Sequence, residues 1–118
     1  MKEVNPIVDK SKKFAVRIVK LYKYLSENRS EYVMSKQVLR SGTSIGANVK
    51  EAIRAQSKAD FNNKMHIAMK EASETEYWLE LLEETDYLTK AQAESILSDC
   101  VELIKILMAI TKTVKNNS

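Results

Sequence analysis

The sequence predicts an all-α protein that folds as an antiparallel, up-down-up-down four-helix bundle, and three observations support this prediction. Only two glycines and one proline occur in 118 residues, so the turns of a hairpin-rich β fold are scarce. Hydrophobic residues recur at helical spacing along four segments. The breaks between these segments span only a few residues, so consecutive helices must run antiparallel. The length suits a single domain, residues 1–118.

The four helices are predicted to span about residues 6–28, 31–55, 58–84 and 90–115. Asn5 and Pro6 suit the N-cap and the first position of the first helix. The core face of this helix has Phe14, Ile18, Leu21 and Leu25. Ser30 is expected to cap the second helix. The apolar side of the second helix has Val38, Ile45, Val49 and Ala52.

The third and fourth helices have the most regular hydrophobic pattern. Ser57 and Thr89 are the expected N-caps of these helices. Steps of four and three residues connect Phe61, Met65, Ala68, Ala72, Thr75, Leu79 and Leu82. The same spacing connects Ala93, Ile96, Cys100, Leu103, Leu107, Ile110 and Val114. Such heptad spacing is typical of helices that pack side by side in a bundle.

The second helix contains a segment that is unusual for a helix. Both glycines, Gly42 and Gly46, lie within six residues, and each costs roughly 1 kcal/mol relative to alanine in a helix. A polar line of residues spaced by four, four and three shares one face beside the apolar side: Arg40, Ser44, Asn48 and Glu51. We interpret the glycines and the polar line as a close helix contact with a buried hydrogen-bonded network, in which Glu76 is a candidate partner. A solvated polar face is the alternative.

The residues that usually perform catalysis or bind metals do not form a recognisable set. The single histidine, His66, lies one position off the core pattern and is expected at the surface. Cys100 lies on the core pattern and is expected to be a small buried hydrophobic residue. No phosphate-binding or dinucleotide-binding glycine motif is found. The sequence therefore predicts no enzyme, no cofactor and no metal site.

Positive charge is concentrated at the start of the chain. A basic ridge, defined as Lys10, Lys13, Arg17 and Lys20, follows helical spacing on the first helix. Three interpretations remain open: a solvated face, a contact with the acidic segment 71–102 in the bundle or on another subunit, and a nucleic-acid site.

Aromatic residues lie largely off the core pattern, and they are Tyr22, Tyr24, Tyr32, Tyr77, Trp78 and Tyr87. A thin bundle cannot bury all of them, and tyrosine and tryptophan are favoured in interface cores, so a homo-oligomer is expected. The longest apolar run, residues 106–110, is far short of the ~20 residues that span a bilayer, so no membrane association is predicted. The single cysteine fits a reducing compartment, and a cytoplasmic protein is expected.

The segment QVLRSGTSIGANVKE, residues 37–51, resembles the signature Q-x-x-R-x-x-x-S-I-x-A-N-x-x-E of the four-helix-bundle proteins encoded in bacterial 23S rRNA intervening sequences. Ser73 to Glu76 is similar to the S-x-x-E motif of that family. Gly46 and Ala52 depart from the proline and glycine that are common there. The family is similar to the accessory variability proteins of diversity-generating retroelements. That resemblance implies a five-membered ring that binds nucleic acid and a reverse transcriptase.

Together, these features predict a non-enzymatic oligomeric scaffold that binds nucleic acid or a ribonucleoprotein partner through the basic ridge. The alternative is a protein-interaction module that binds no nucleic acid and uses its charged faces in ring assembly.

Overall fold

The computed structural model describes the backbone of residues 4–116 and the side chains of residues 6–113, and it confirms the all-α four-helix fold. The helices are α1 (Val4–Asn28), α2 (Met34–Ile53), α3 (Lys58–Glu84) and α4 (Lys90–Asn116). Each helix packs against the next, and α1 and α4, which approach each other least closely, close the bundle. The bundle measures 46 × 21 × 19 Å. Within residues 4–116, no helix is both long and apolar enough to cross a membrane.

The hydrophobic patterns of all four helices meet in one core. Phe14, Ile18 and Leu25 of α1 are buried, and Leu21 is half-buried at the edge. The predicted apolar side of α2 is buried along its whole length. On α3 and α4 the predicted core residues are buried except Phe61, which is half-buried, and Val114, whose side chain lies outside the described residues. The spacing of the hydrophobic residues therefore predicted the core correctly.

The close approach of α1 and α2 explains the glycines of α2. A Cβ atom added to Gly42 would lie 2.7 Å from Cγ1 and 2.8 Å from Cγ2 of Ile18. One turn further along α2, a Cβ on Gly46 would lie 3.3 Å from the backbone oxygen of Ser11. Gly42, Ile18 and Ser11 are all buried. The close contact of helices that was predicted at these glycines is confirmed, and it compensates for their poor helix propensity.

Two of the predicted helix caps are confirmed. The side chain of Ser57 accepts a hydrogen bond of 3.1 Å from the backbone N–H of Asp60 at the start of α3. Thr89 and Gln92 form a reciprocal capping box at the start of α4, because the side chain of each accepts from the backbone N–H of the other. The sequence therefore predicted correctly where α3 and α4 begin.

The predicted caps of the first two helices are wrong. α1 begins at Val4, so Asn5 is inside the helix; its side chain lies outside the described residues. Ser30 does not cap α2, because its backbone adopts a left-handed conformation with φ 53°. Instead, the buried carboxylate of Glu31 accepts hydrogen bonds from the N–H groups of Val33, Met34 and Ser35, and α2 begins at Met34. A carboxylate at a helix N-terminus also interacts favourably with the macrodipole.

Gly42→Ala is expected to lower the free energy of unfolding by about 1–3 kcal/mol, because the added methyl group overlaps the buried, β-branched Ile18. Gly46→Ala is the matched control. Its Cβ has a milder contact with Ser11, and the gain in helix propensity of roughly 1 kcal/mol offsets the displacement. Urea unfolding monitored by circular dichroism measures both variants. Equal stability of the two variants would contradict the proposed steric origin.

Candidate functional site

The basic ridge on α1 faces α4 at two of its four positions. Arg17 donates hydrogen bonds to Oδ2 of Asp99 at 2.7 Å and to Oγ of Ser95 at 3.0 Å. Lys10 forms an ion pair with Glu102, one turn further along α4. These contacts connect the two helices that pack least closely. The interpretation that the ridge faces an acidic surface within the bundle is therefore correct for Lys10 and Arg17.

The other two ridge residues form no ion pair or hydrogen bond with another helix among the described side chains. Lys13 forms an ion pair of 3.1 Å with Asp9 on its own helix, and both side chains are well exposed. Lys20 is exposed and lines the wider end of the α1–α4 groove, beside Leu21 and Tyr24. Exposed ion pairs contribute only about 0–1 kcal/mol, so exchanging such a pair for a phosphate costs little. The ridge thus has two residues directed at α4 and two available to a ligand.

The wider end of the α1–α4 groove contains a polar cluster around Tyr24. Side-chain hydrogen bonds with Gln92 and Arg29 lower the pKa of Tyr24. Arg29 lies 5.4 Å from the ring centroid of Tyr87 and donates to the backbone oxygens of Tyr87 and Asp86. These contacts fix the end of α1 against the α3–α4 loop.

The polar line on α2 faces α3. Arg40 is half exposed and forms ion pairs with the carboxylates of Glu71, at 3.2 Å, and Glu74. Glu74 also accepts a hydrogen bond of 3.0 Å from the indole N–H of Trp78. At the other end of the line, Glu51 pairs with Lys64 at 2.9 Å, and this raises the pKa of Lys64. Three ion pairs therefore join α2 to α3, two at the Arg40 end of the polar line and one at the Glu51 end.

The middle of the polar line bonds within its own helix. Ser44 Oγ donates to the backbone oxygen of Arg40 at 2.6 Å, and Asn48 Nδ2 donates to the backbone oxygen of Ser44 at 2.8 Å. Arg40 and Glu51 are exposed, whereas Ser44 and Asn48 are half-buried. The expected buried network among these residues is therefore wrong. The line is a partly exposed border of the α2–α3 contact.

Glu76 is not the partner of Arg40. It follows Glu74 by two residues, or about 200° around the helix, so it lies on the opposite side of α3. There it contributes to raising the pKa of Cys100 on α4. Glu71 and Glu74, which differ by three positions and share a face, take the role that the sequence analysis gave to Glu76.

The buried polar contact between α2 and α3 involves different residues. The hydroxyl oxygens of Ser41 and Thr75 are 2.9 Å apart and share a hydrogen bond in the core, and Thr75 Oγ1 also donates to the backbone oxygen of Glu71. The heptad spacing predicted Thr75 in the core but not its partner. Ser41 is adjacent to Gly42, and this adjacency is a signal in the sequence from which a small polar residue at the close helix contact could have been predicted.

Cys100 and His66 lie where the sequence predicted them. Cys100 is buried, its thiol donates to the backbone oxygen of Ala72 at 3.3 Å, and burial raises its pKa to about 12. His66 is exposed. Among the described residues, no three His, Cys, Asp or Glu side chains are placed to hold a metal ion. The thiol is therefore protonated and inaccessible at neutral pH, which disfavours a nucleophilic role.

Comparisons with known proteins agree with this architecture. Residues 3–109 match the family described as 23S rRNA-intervening sequence protein. A crystal structure of a protein of unknown function from the S23 ribosomal protein family of Bacteroides thetaiotaomicron VPI-5482 is 61% identical to this chain. The alignment covers 93% of this chain and 98% of that one, with a TM-score of 0.92. No curated protein sequence matches.

Cys100 is expected to resist alkylation in the folded protein. A pKa of about 12 reduces its thiolate fraction at pH 8.5 on the order of 1000-fold relative to a thiol of pKa 9.0. Labelling with iodoacetamide, followed by mass spectrometry, should therefore proceed at the rate of global unfolding and increase in urea. Rapid labelling of the native protein at pH 8.5 would contradict this burial.

Proposed function

Because the chain belongs to the 23S rRNA-intervening sequence protein family, we propose that it is a non-enzymatic, homo-oligomeric scaffold that binds nucleic acid or a ribonucleoprotein partner. The observation that supports this proposal best is the separation of charge between helices. α1 has six basic and two acidic residues, whereas α3 has seven acidic and three basic residues. An elongated molecule with one basic side presents a favourable surface to a phosphate backbone.

The basic ridge is the proposed nucleic-acid site. Lys13 and Lys20 are exposed, and Lys12 and Lys23 beside them are also exposed. Lys10 and Arg17 are held by α4, but their ion pairs are partly exposed and are therefore weak enough to exchange for phosphates. The ridge lacks interleaved aromatic residues, so it would bind the backbone of a nucleic acid and not read its bases.

Assembly into a ring is the second part of the proposal. Tyr32 and Tyr77 are 56% and 57% exposed, and tyrosine is enriched in the buried cores of protein interfaces. The basic surface of α1 is complementary to the acidic surface of α3 on another subunit. The resemblance to the accessory variability proteins favours five subunits, with a reverse transcriptase as a protein partner. The single cysteine fits a reducing compartment, so the proposed location is the cytoplasm.

The alternative function is a protein-interaction module that binds no nucleic acid. The observation that favours it is that α4 already binds Lys10 and Arg17, so part of the positive charge is used within the chain. In this case the remaining charged faces would serve ring assembly only.

The double variant Lys13→Ala/Lys20→Ala is expected to weaken nucleic-acid binding several-fold at about 0.1 M salt, and to reduce the slope of log K against log salt by about 2. Fluorescence anisotropy with a labelled RNA and a labelled DNA duplex measures both quantities. The matched control is Lys105→Ala/Lys112→Ala, which removes two exposed lysines from α4. No binding by the wild-type protein at low salt, or equal loss in both variants, would favour the protein-interaction module.

Light scattering is expected to give a mass near five times 13.5 kDa that does not fall on dilution to low micromolar concentration. Tyr77→Ser should lower this mass, because it removes an exposed aromatic ring from the assembly surface. His66→Ala, an exposed residue on the same helix, is the control. A monomer mass at every concentration would refute the ring.

A further inference from the structure

The outer side of the α1–α2 contact is an open apolar groove, which is separate from the basic ridge. Val8 and Ala15 of α1 and Ala47 and Ile53 of α2 line it, and its volume is about 420 Å³. Val8 and Ile53 are 41% and 47% exposed. Gly46 lies at the floor, where the absence of a side chain leaves the backbone of α1 and α2 in close contact. The groove exists because the two helices approach closely beneath it.

Positive charge surrounds this apolar floor. Lys12, Lys50 and Arg54 line the groove, and no acidic side chain among the described residues does. All three are exposed, and none forms an ion pair with a described acidic side chain. The surface therefore combines hydrophobic and cationic contacts, and Glu51 and Asp60 lie in the adjoining depression without pairing with Lys50 or Arg54.

We infer that this groove binds an acidic amphipathic helix of a partner protein. An amphipathic helix places its apolar face in such a groove, and flanking Asp or Glu side chains would reach the three cations. The groove extends from Val8 to Ala15 on α1, about 10 Å, and from Thr43 to Ile53 on α2, about 15 Å, at 1.5 Å per residue. This length fits two to three turns of a helix.

Two other occupants fit the groove less well. Nucleic-acid bases bind protein surfaces mainly by stacking on aromatic rings, and no aromatic residue lines this groove. A second copy of the chain offers acidic helices, but in the described residues α3 and α4 expose only Tyr77 and Met108 as large hydrophobic side chains. These two residues do not form the apolar stripe, spaced by three and four residues, that a groove of this kind requires.

The test is selection from a displayed library of 14-residue helical peptides with a fixed leucine stripe and randomised flanking positions. The intact protein is the bait, and enrichment of Asp and Glu at the flanking positions is expected. Binding of a selected peptide, measured by fluorescence anisotropy, should fall at least tenfold in Lys50→Glu/Arg54→Glu and in Ile53→Ser. Lys105→Glu and Met108→Ser, at exposed positions of α4, should leave it unchanged. Circular dichroism checks that each variant is folded.

Any of the following outcomes would overturn the inference. Selection without acidic enrichment, or binding that is insensitive to the groove variants, removes the acidic helix as the occupant. If Ile53→Ser lowers the mass of the protein in light scattering, the groove is an interface with a second copy. Lys50→Glu/Arg54→Glu could abolish RNA binding while Ile53→Ser changes neither RNA binding nor peptide binding. In that case Lys50 and Arg54 bind nucleic acid and not an acidic helix. The inference does not depend on nucleic-acid binding by the basic ridge, because the variants that test the two share no residue.

Discussion

The close approach of α1 and α2 at Gly42 is the constraint on which the rest of the structure depends. Ile18 fills the space that a side chain at position 42 would need, and Ser11 lies against Gly46 one turn away. These two contacts fix both the distance between the helices and the rotation of α1 about its axis. With Ile18 directed at α2 and the core, Arg17 is directed towards α4. One steric contact therefore determines which faces of α1 are available to ligands.

The charged residues act mostly at the borders between helices. Ion pairs connect α1 to α4 and α2 to α3, and all of them are partly exposed, so they contribute little stability. These ion pairs align neighbouring helices. Because each pair is weak, an anionic ligand can replace the acidic partner at a low cost in free energy. The core supplies the stability, and a buried Ser41–Thr75 hydrogen bond adds a polar contact at its centre.

The site was predicted less accurately than the fold, and the errors have a common cause. Sequence spacing shows which residues share a face of one helix, and it placed the polar line on α2 correctly. It does not show how the neighbouring helix is rotated, so Glu76 was a candidate partner for the line although Glu71 and Glu74 face Arg40. The cap at Glu31 was missed for a related reason. A carboxylate three residues before the helix reaches its N–H groups only after the left-handed turn at Ser30.

The sequence by itself determined the number of helices, their core faces, the N-caps of α3 and α4, and the close contact at the glycines. These features follow from local propensity and from a period of 3.6 residues, and both are properties of short segments of chain. Only the tertiary structure decided which residues of the basic ridge pair with α4, which acids pair with Arg40, and that a cationic apolar groove opens beside Gly46. These features depend on the rotation and spacing of whole helices, which are set by the packing of side chains distant in sequence.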